Sequence, residues 1–85
     1  MGKHEKLIQK ILSGRQDQSI NFSEMVSLLL SFGFSQRIKG DHHIFYCEGI
    51  VEIINIQPDG AKAKPYQVRQ IRELIVKYKL EGTDD

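Results

Sequence analysis

The sequence predicts one α+β domain, with helices packed on one face of a three-stranded antiparallel sheet in the order α-α-β-β-β-α. Apolar residues recur at helical spacing in three segments, whereas a β-favouring pattern occupies residues 34–56. The connections within that middle region are short, which favours antiparallel hairpins. A chain of 85 residues has room for one small domain.

The three predicted helices have recognisable ends. The first spans residues 3–13 and keeps its apolar residues on one face. The second begins after Asn21, which suits the N-cap position, with Glu24 in the capping-box position, and it ends at Gly33. The third begins at Pro65, because proline is favoured in the first position of a helix, and it fades near residue 80.

The remaining segments are predicted to be loops within a single domain over residues 1–85. Residues 14–20 and 57–64 are rich in polar and turn-forming residues, and residues 80–85 are expected to form a frayed tail. The solvated face of the last helix is expected to carry four charged residues: Arg69, Arg72, Glu73 and Lys77.

Three strands are predicted between the second and third helices, over residues 34–39, 43–47 and 50–56. Because side chains alternate along a strand, the middle strand separates two sets of residues. One face carries His42, Ile44 and Tyr46, and the other carries His43, Phe45 and Cys47. Both sets contain apolar residues, so the pattern does not say which face is buried.

Composition and charge favour a cytoplasmic protein that has no membrane partner. No run approaches the roughly 20 apolar residues of a membrane span. The N-terminus lacks the apolar core of a signal peptide, and a single cysteine excludes an internal disulfide. The net charge is only +1, but residues 35–79 carry eight basic and five acidic side chains. This local excess of positive charge is a weak indication of nucleic-acid binding.

The stretch from Gly40 to Phe45 carries the clearest chemical signal, because two histidines follow a Gly-Asp turn. Histidines can titrate near neutral pH, as a general acid or base must. His42 is the candidate for chemistry, whereas His43 is expected to pack or to support, and His4 is expected to be solvated. Adjacent histidines on a strand point apart and no Cys-x-x-Cys pair is present, so neither a metal nor another cofactor is expected.

Three segments follow one another in the order of a known family pattern: Asn21-Phe22-Ser23-Glu24-Met25, then Phe32-Gly33-Phe34, then Lys39-Gly40-Asp41-His42-His43-Ile44-Phe45. Together they resemble the HicA family of messenger-RNA interferase toxins. That family has a first helix ending in Gly-Phe and a Gly-Ser-His-x-x-aromatic motif where the second strand begins. Its fold is similar to the double-stranded RNA-binding domain (dsRBD). Residues 20–79 line up with this plan, which leaves residues 3–13 as an extra helix.

The resemblance implies a metal-independent endoribonuclease that cleaves messenger RNA and is neutralised by a HicB-type antitoxin. The family's catalytic histidine falls on His42, its turn glycine on Gly40 and its strand-anchoring aromatic residue on Phe45. Asp41 stands where the family has a serine.

The chemistry expected of His42 is that of a general base. It would take the proton of a ribose 2′-hydroxyl, which attacks the adjacent phosphate and leaves a 2′,3′-cyclic phosphate and a free 5′-hydroxyl. Five cations are candidate phosphate contacts: Arg37, Lys39, Lys62, Lys64 and Arg69.

Two other functions stay open on the sequence alone. A module of the same fold could bind RNA without cutting it, with Asp41 marking the loss of activity. Alternatively, the domain could bind another protein and have no role with RNA. Growth arrest that depends on His42 would separate the toxin from both.

Overall fold

The computed structural model describes residues 3–81 and has the predicted class and order of elements. The helices and strands are α1 (Lys3–Ser13), α2 (Phe22–Ser31), β1 (Ser35–Lys39), β2 (His42–Cys47), β3 (Ile50–Ile56) and α3 (Pro65–Tyr78). A 3-10 turn, Asp17–Ser19, forms where only a loop was predicted. The remaining positions, 1–2 and 82–85, include the start of the expected domain and most of the expected tail, and they lie outside the described residues.

The sheet is antiparallel throughout, in the order β1-β2-β3. Lys39 lies opposite His42 across the first hairpin, and Phe45 lies opposite Ile54 across the second pair of strands. Two strand ends differ by one residue from the prediction, because β1 begins after the buried Phe34 and β2 already begins at His42.

One face of the sheet packs on the helices and the other is open. Phe45, Ile54 and Ile56 have no solvent exposure on the helix-covered face, whereas Val51 and Ile53 are 87% and 64% exposed on the opposite side. Side-chain alternation places His42 on the exposed side, here called the open face. The structure thereby answers the question that the apolar pattern left undecided.

The first helix belongs to the same core as the rest of the chain. Leu7 and Ile11 are buried in the cluster that includes α2, α3 and the covered face of the sheet. The prediction that His4 is solvated is wrong, because its Nε2 lies 3.0 Å from Ser27 Oγ on α2 in a partly buried contact. The extra helix is therefore an integral layer of this domain.

Arg72 joins three elements, although the sequence placed it on the solvated face of α3. Its guanidinium donates to both carboxylate oxygens of Asp17, at 2.8 and 3.2 Å, and to the carbonyl oxygen of Ile11 at 3.0 Å. The prediction for Arg72 is wrong because it treated α3 alone. The arginine instead binds a carbonyl oxygen near the end of α1, where helix carbonyls lack partners within the helix.

The two ends of α3 are fixed in different ways. Pro65 is its first residue, as predicted, and Gln67 Oε1 accepts a hydrogen bond from the backbone of Lys64 at 3.2 Å. After its last turn, Leu80 donates from its backbone to Ile75 at 3.1 Å and packs partly buried against the core. The packed chain thus extends to Leu80, where a frayed tail was expected. Within residues 3–81, no helix combines the length and apolar character needed to cross a bilayer.

Glu52 ties β3 to the last turn of α3. Its carboxylate accepts hydrogen bonds from Lys77 Nζ at 2.7 Å and from Tyr78 Oη at 2.5 Å. The hydrogen bond from Lys77 is the largest cause that lowers the pKa of Glu52, and the one from Tyr78 is the second. The pKa falls to about 2. The ionised carboxylate is thus favoured by the folded state.

Replacing Glu52 with glutamine should flatten the acid branch of the stability profile. A carboxylate with a lowered pKa stabilises the fold fully above its ordinary value of 4.5 and loses that contribution as the pH falls towards about 2. Urea unfolding at several pH values across this range should show that the free energy of unfolding falls more steeply for the wild type than for Glu52→Gln. The control is Glu48→Gln, at an exposed glutamate of the turn between β2 and β3. Identical pH profiles for wild type and Glu52→Gln would contradict this role.

Candidate active site

A two-residue turn carries His42 to the start of β2. Gly40 and Asp41 connect the paired residues Lys39 and His42, and Gly40 has a φ of 63°. A Cβ at Gly40 would meet nothing within 4 Å, so the backbone angle, rather than crowding, favours glycine here. The turn thereby sets His42 at the first position of the central strand, at one end of the open face.

One nitrogen of the His42 ring is held by the neighbouring strand. Nδ1 lies 3.1 Å from Oδ1 of Asn55 on β3. Because a carbonyl oxygen can only accept, Nδ1 is the donor in this contact, and whenever the ring is neutral its lone pair is then on Nε2. The His42 side chain is 50% exposed, so a molecule in solution can reach it.

The second nitrogen faces a carboxylate that is itself held in place. Nε2 of His42 lies 3.8 Å from Oδ1 of Asp41, and Gln57 donates to Oδ2 of Asp41 at 2.8 Å. The hydrogen bond from Gln57 is the largest cause that lowers the pKa of Asp41, and the charges of His42 and Lys64 act in the same direction. Asp41 is therefore an ionised group beside the ring, and Lys64 is close enough for its charge to act on Asp41.

Four polar side chains thus form a chain across one end of the open face: Asn55, His42, Asp41 and Gln57. We call them the His42 cluster. Sequence reasoning found His42 and Asp41 but missed Asn55 and Gln57. A signal for Asn55 was present, because it is the one uncharged polar residue in strand Ile50–Ile56, whose other residues are apolar except for Glu52. Its partner, however, depends on the register between β2 and β3.

His43 serves packing, as the alternation of the strand predicted. Its Nδ1 lies 2.9 Å from Oε1 of Gln36 on β1, and its ring meets the Phe22 ring edge-on with 5.0 Å between centroids. Phe22 opens α2, so His43 contributes to the contact between the sheet and that helix. The two adjacent histidines therefore have different surroundings on opposite faces.

Two of the five predicted phosphate contacts lie beside the His42 cluster. Lys39 is the cross-strand partner of His42, and the charge of Lys64 acts on Asp41. Arg37 lies opposite Ile44, further along the exposed surface of β1.

The other two predicted contacts lie on the approach to α3 and within it. Backbone hydrogen bonds of 2.9 and 3.0 Å join Asp59 and Lys62 in both directions, and Ala63 donates to Ile20 at 2.9 Å. This segment, expected to be a loop, is thus fixed beside the start of α2. Lys62 is exposed on it, and Arg69 is exposed on the second turn of α3.

A concave depression lies away from these groups. It has a volume of about 590 Å³ and is lined by Gly33, Ser35, Tyr46, Cys47 and Glu48. Ser35 and Tyr46 pair at the end of the β1–β2 ladder opposite to Lys39 and His42. The depression is thus separate from the His42 cluster. In residues 3–81, no three His, Cys, Asp or Glu side chains are grouped closely enough to hold a metal ion.

Comparisons with protein-family models, with curated proteins and with solved structures found no match for this chain.

Removing His42 and removing His43 should have different effects on the stability of the fold. His43→Ala loses the edge contact with Phe22 and the hydrogen bond with Gln36, and should lower the free energy of unfolding by about 1–2 kcal/mol. His42→Ala changes an exposed position and should stay within about 0.5 kcal/mol of the wild type. Urea unfolding of both variants checks this, and equal losses would show that His42 is also a packing residue.

Proposed function

We propose that this protein is a HicA-like toxin: a metal-independent endoribonuclease that cleaves messenger RNA in the cytoplasm with His42 as the general base. The observation that carries the proposal is the setting of His42. Its ring is half exposed on the open face and Nδ1 contacts Asn55, so that in the neutral ring Nε2 holds the lone pair that a base requires. The resemblance of the Lys39–Phe45 segment to the HicA motif supplies the substrate class.

The proposed reaction needs only groups of the chain, the RNA and water. Nε2 of His42 takes the proton from a ribose 2′-hydroxyl, and the oxygen attacks the adjacent phosphorus. The bond from phosphorus to the 5′-oxygen breaks, which gives a 2′,3′-cyclic phosphate. The 5′-oxygen receives a proton from water or from His42. Asp41 can hold the protonated ring by charge attraction during this step.

The cations beside the cluster fit the charge that develops on the phosphate. Lys39 projects from the position opposite His42, and Lys64 approaches from the start of α3. Positive groups stabilise the pentacoordinate transition state at phosphorus more than the ground state, because negative charge builds up on its oxygens. Arg37, Lys62 and Arg69 are proposed to contact the flanking phosphates of the strand.

A HicB-type antitoxin is the proposed partner. Such a protein would silence the enzyme by covering the open face, where the His42 ring and the side chain of Lys39 are exposed. A partner that offers acidic side chains to Lys39 and Arg37 would compete directly with RNA phosphates for the same surface.

One observation favours a second candidate, an RNA-binding module without catalysis. Asp41 is ionised, and its Oδ1 lies 3.8 Å from the nitrogen that should act as the base. Its negative charge repels a phosphate that approaches Nε2. Salt-dependent RNA binding without cleavage, together with a gain of cleavage in Asp41→Ser, would support this candidate over the first.

Removing His42 should abolish the activity while leaving the fold intact. Induced expression of the wild type should arrest bacterial growth, and the purified protein should cleave RNA in the presence of EDTA. His42→Ala should lose both effects, by a factor of at least about 100 in cleavage rate. Val76→Ala, at an exposed position of α3, is the matched control and should behave as the wild type. Full cleavage and toxicity in His42→Ala would refute the assignment.

Reversing Lys62 and Lys64 to glutamate should weaken RNA binding and reduce its dependence on salt. Each lost phosphate contact on a single strand should lower the slope of log K against log salt by about 0.7. The control is the double variant Lys6→Glu, Arg15→Glu, which changes the net charge equally at exposed positions of α1 and the following segment. If both double variants weaken binding to the same extent, the two lysines are not part of the interface.

A further inference from the structure

β3 is an edge strand of the described sheet: no strand pairs with its outer side, and it carries little charge. Among the described residues, the sheet ends at β3, so the outward backbone groups of its seven residues have no strand beside them. Proteins usually protect such an edge with lysine, proline or a very short strand. β3 contains neither residue, and its one charge, Glu52, is already paired with Lys77.

The opposite edge of the sheet is protected in the usual way. β1 has five residues and carries Arg37 and Lys39 on the open face. If two copies of β1 paired about its central residue, the two Arg37 side chains would lie directly opposite each other and repel. The two edges therefore differ in whether they can accept a second copy of the same chain.

β3 is self-complementary about its central residue. An antiparallel pair centred on Ile53 would place Ile53 opposite its own copy and Val51 opposite Asn55 of the other chain. Glu52 would then lie opposite Ile54, so no like charges would meet. All seven residues would pair, and the exposed apolar side chains of Val51 and Ile53 would be covered by their counterparts.

We infer that the protein forms a two-fold dimer through antiparallel pairing of β3 with β3 of a second copy, which gives a continuous six-stranded sheet. The two-fold axis runs through the sheet at Ile53, so both open faces lie on the same side. The two His42 clusters then lie towards opposite ends of one surface. This inference goes beyond the proposed function and does not depend on it.

Light scattering and sedimentation over a concentration series test the dimer with two matched variants. Ile53 and Val76 are both 64% exposed, but only Ile53 lies on β3. Wild type and Val76→Lys should pass from monomer to dimer as concentration rises. Ile53→Lys brings two lysines together at the axis and should weaken the dimer at least about tenfold. Far-ultraviolet circular dichroism confirms that each variant is folded.

A cysteine placed at residue 53 tests the register. In a Cys47→Ala background, Ile53→Cys should give a disulfide-linked dimer on mild oxidation, whereas Val76→Cys should stay mostly monomeric. A wild type that is monomeric throughout the series would overturn the inference and leave the β3 edge to RNA or to an antitoxin. Equal effects of the lysine variants, or equal cross-linking at both cysteines, would also overturn it.

Discussion

The burial of Phe45 is the constraint on which the other features of the site depend. Phe45 has no solvent exposure and lies opposite the equally buried Ile54. A shift of one residue in β2 would turn Phe45 to solvent, which costs about 1.5–3 kcal/mol for that side chain alone, and would turn His42 into the core. Because β2 cannot shift, His43 packs on Phe22 and His42 faces solvent.

The open face that results is divided between charge and apolar surface. Its β1 side carries Arg37 and Lys39, whereas its β3 side carries Val51 and Ile53. The His42 cluster joins the two sides at one end of the sheet. This division keeps the surface along β1 that we propose for RNA apart from the outer edge of β3 that we propose to pair with a second copy.

The helices, the strand order and the start of α3 at Pro65 could be predicted, because periodicity and capping residues are local signals. The partners of Arg72 could not, since they depend on how α3 docks against α1 and the 3-10 turn. The buried face of the sheet was undecidable because apolar residues alternate onto both faces of β2. Similarly, His42 was visible in the sequence, but Asn55 became its partner only through the pairing of β3.

We propose that His42 acts as a base on a ribose hydroxyl, and the chemical groups at the ends of the cleaved RNA test this role. Purified protein would be incubated with a short RNA in EDTA, and the products analysed by mass spectrometry. We expect 2′,3′-cyclic phosphate and 5′-hydroxyl ends, and no cleavage of the same RNA with a 2′-deoxy sugar at the cut site. Products with 5′-phosphate ends, cleavage of the 2′-deoxy substrate or an uncut RNA would contradict it.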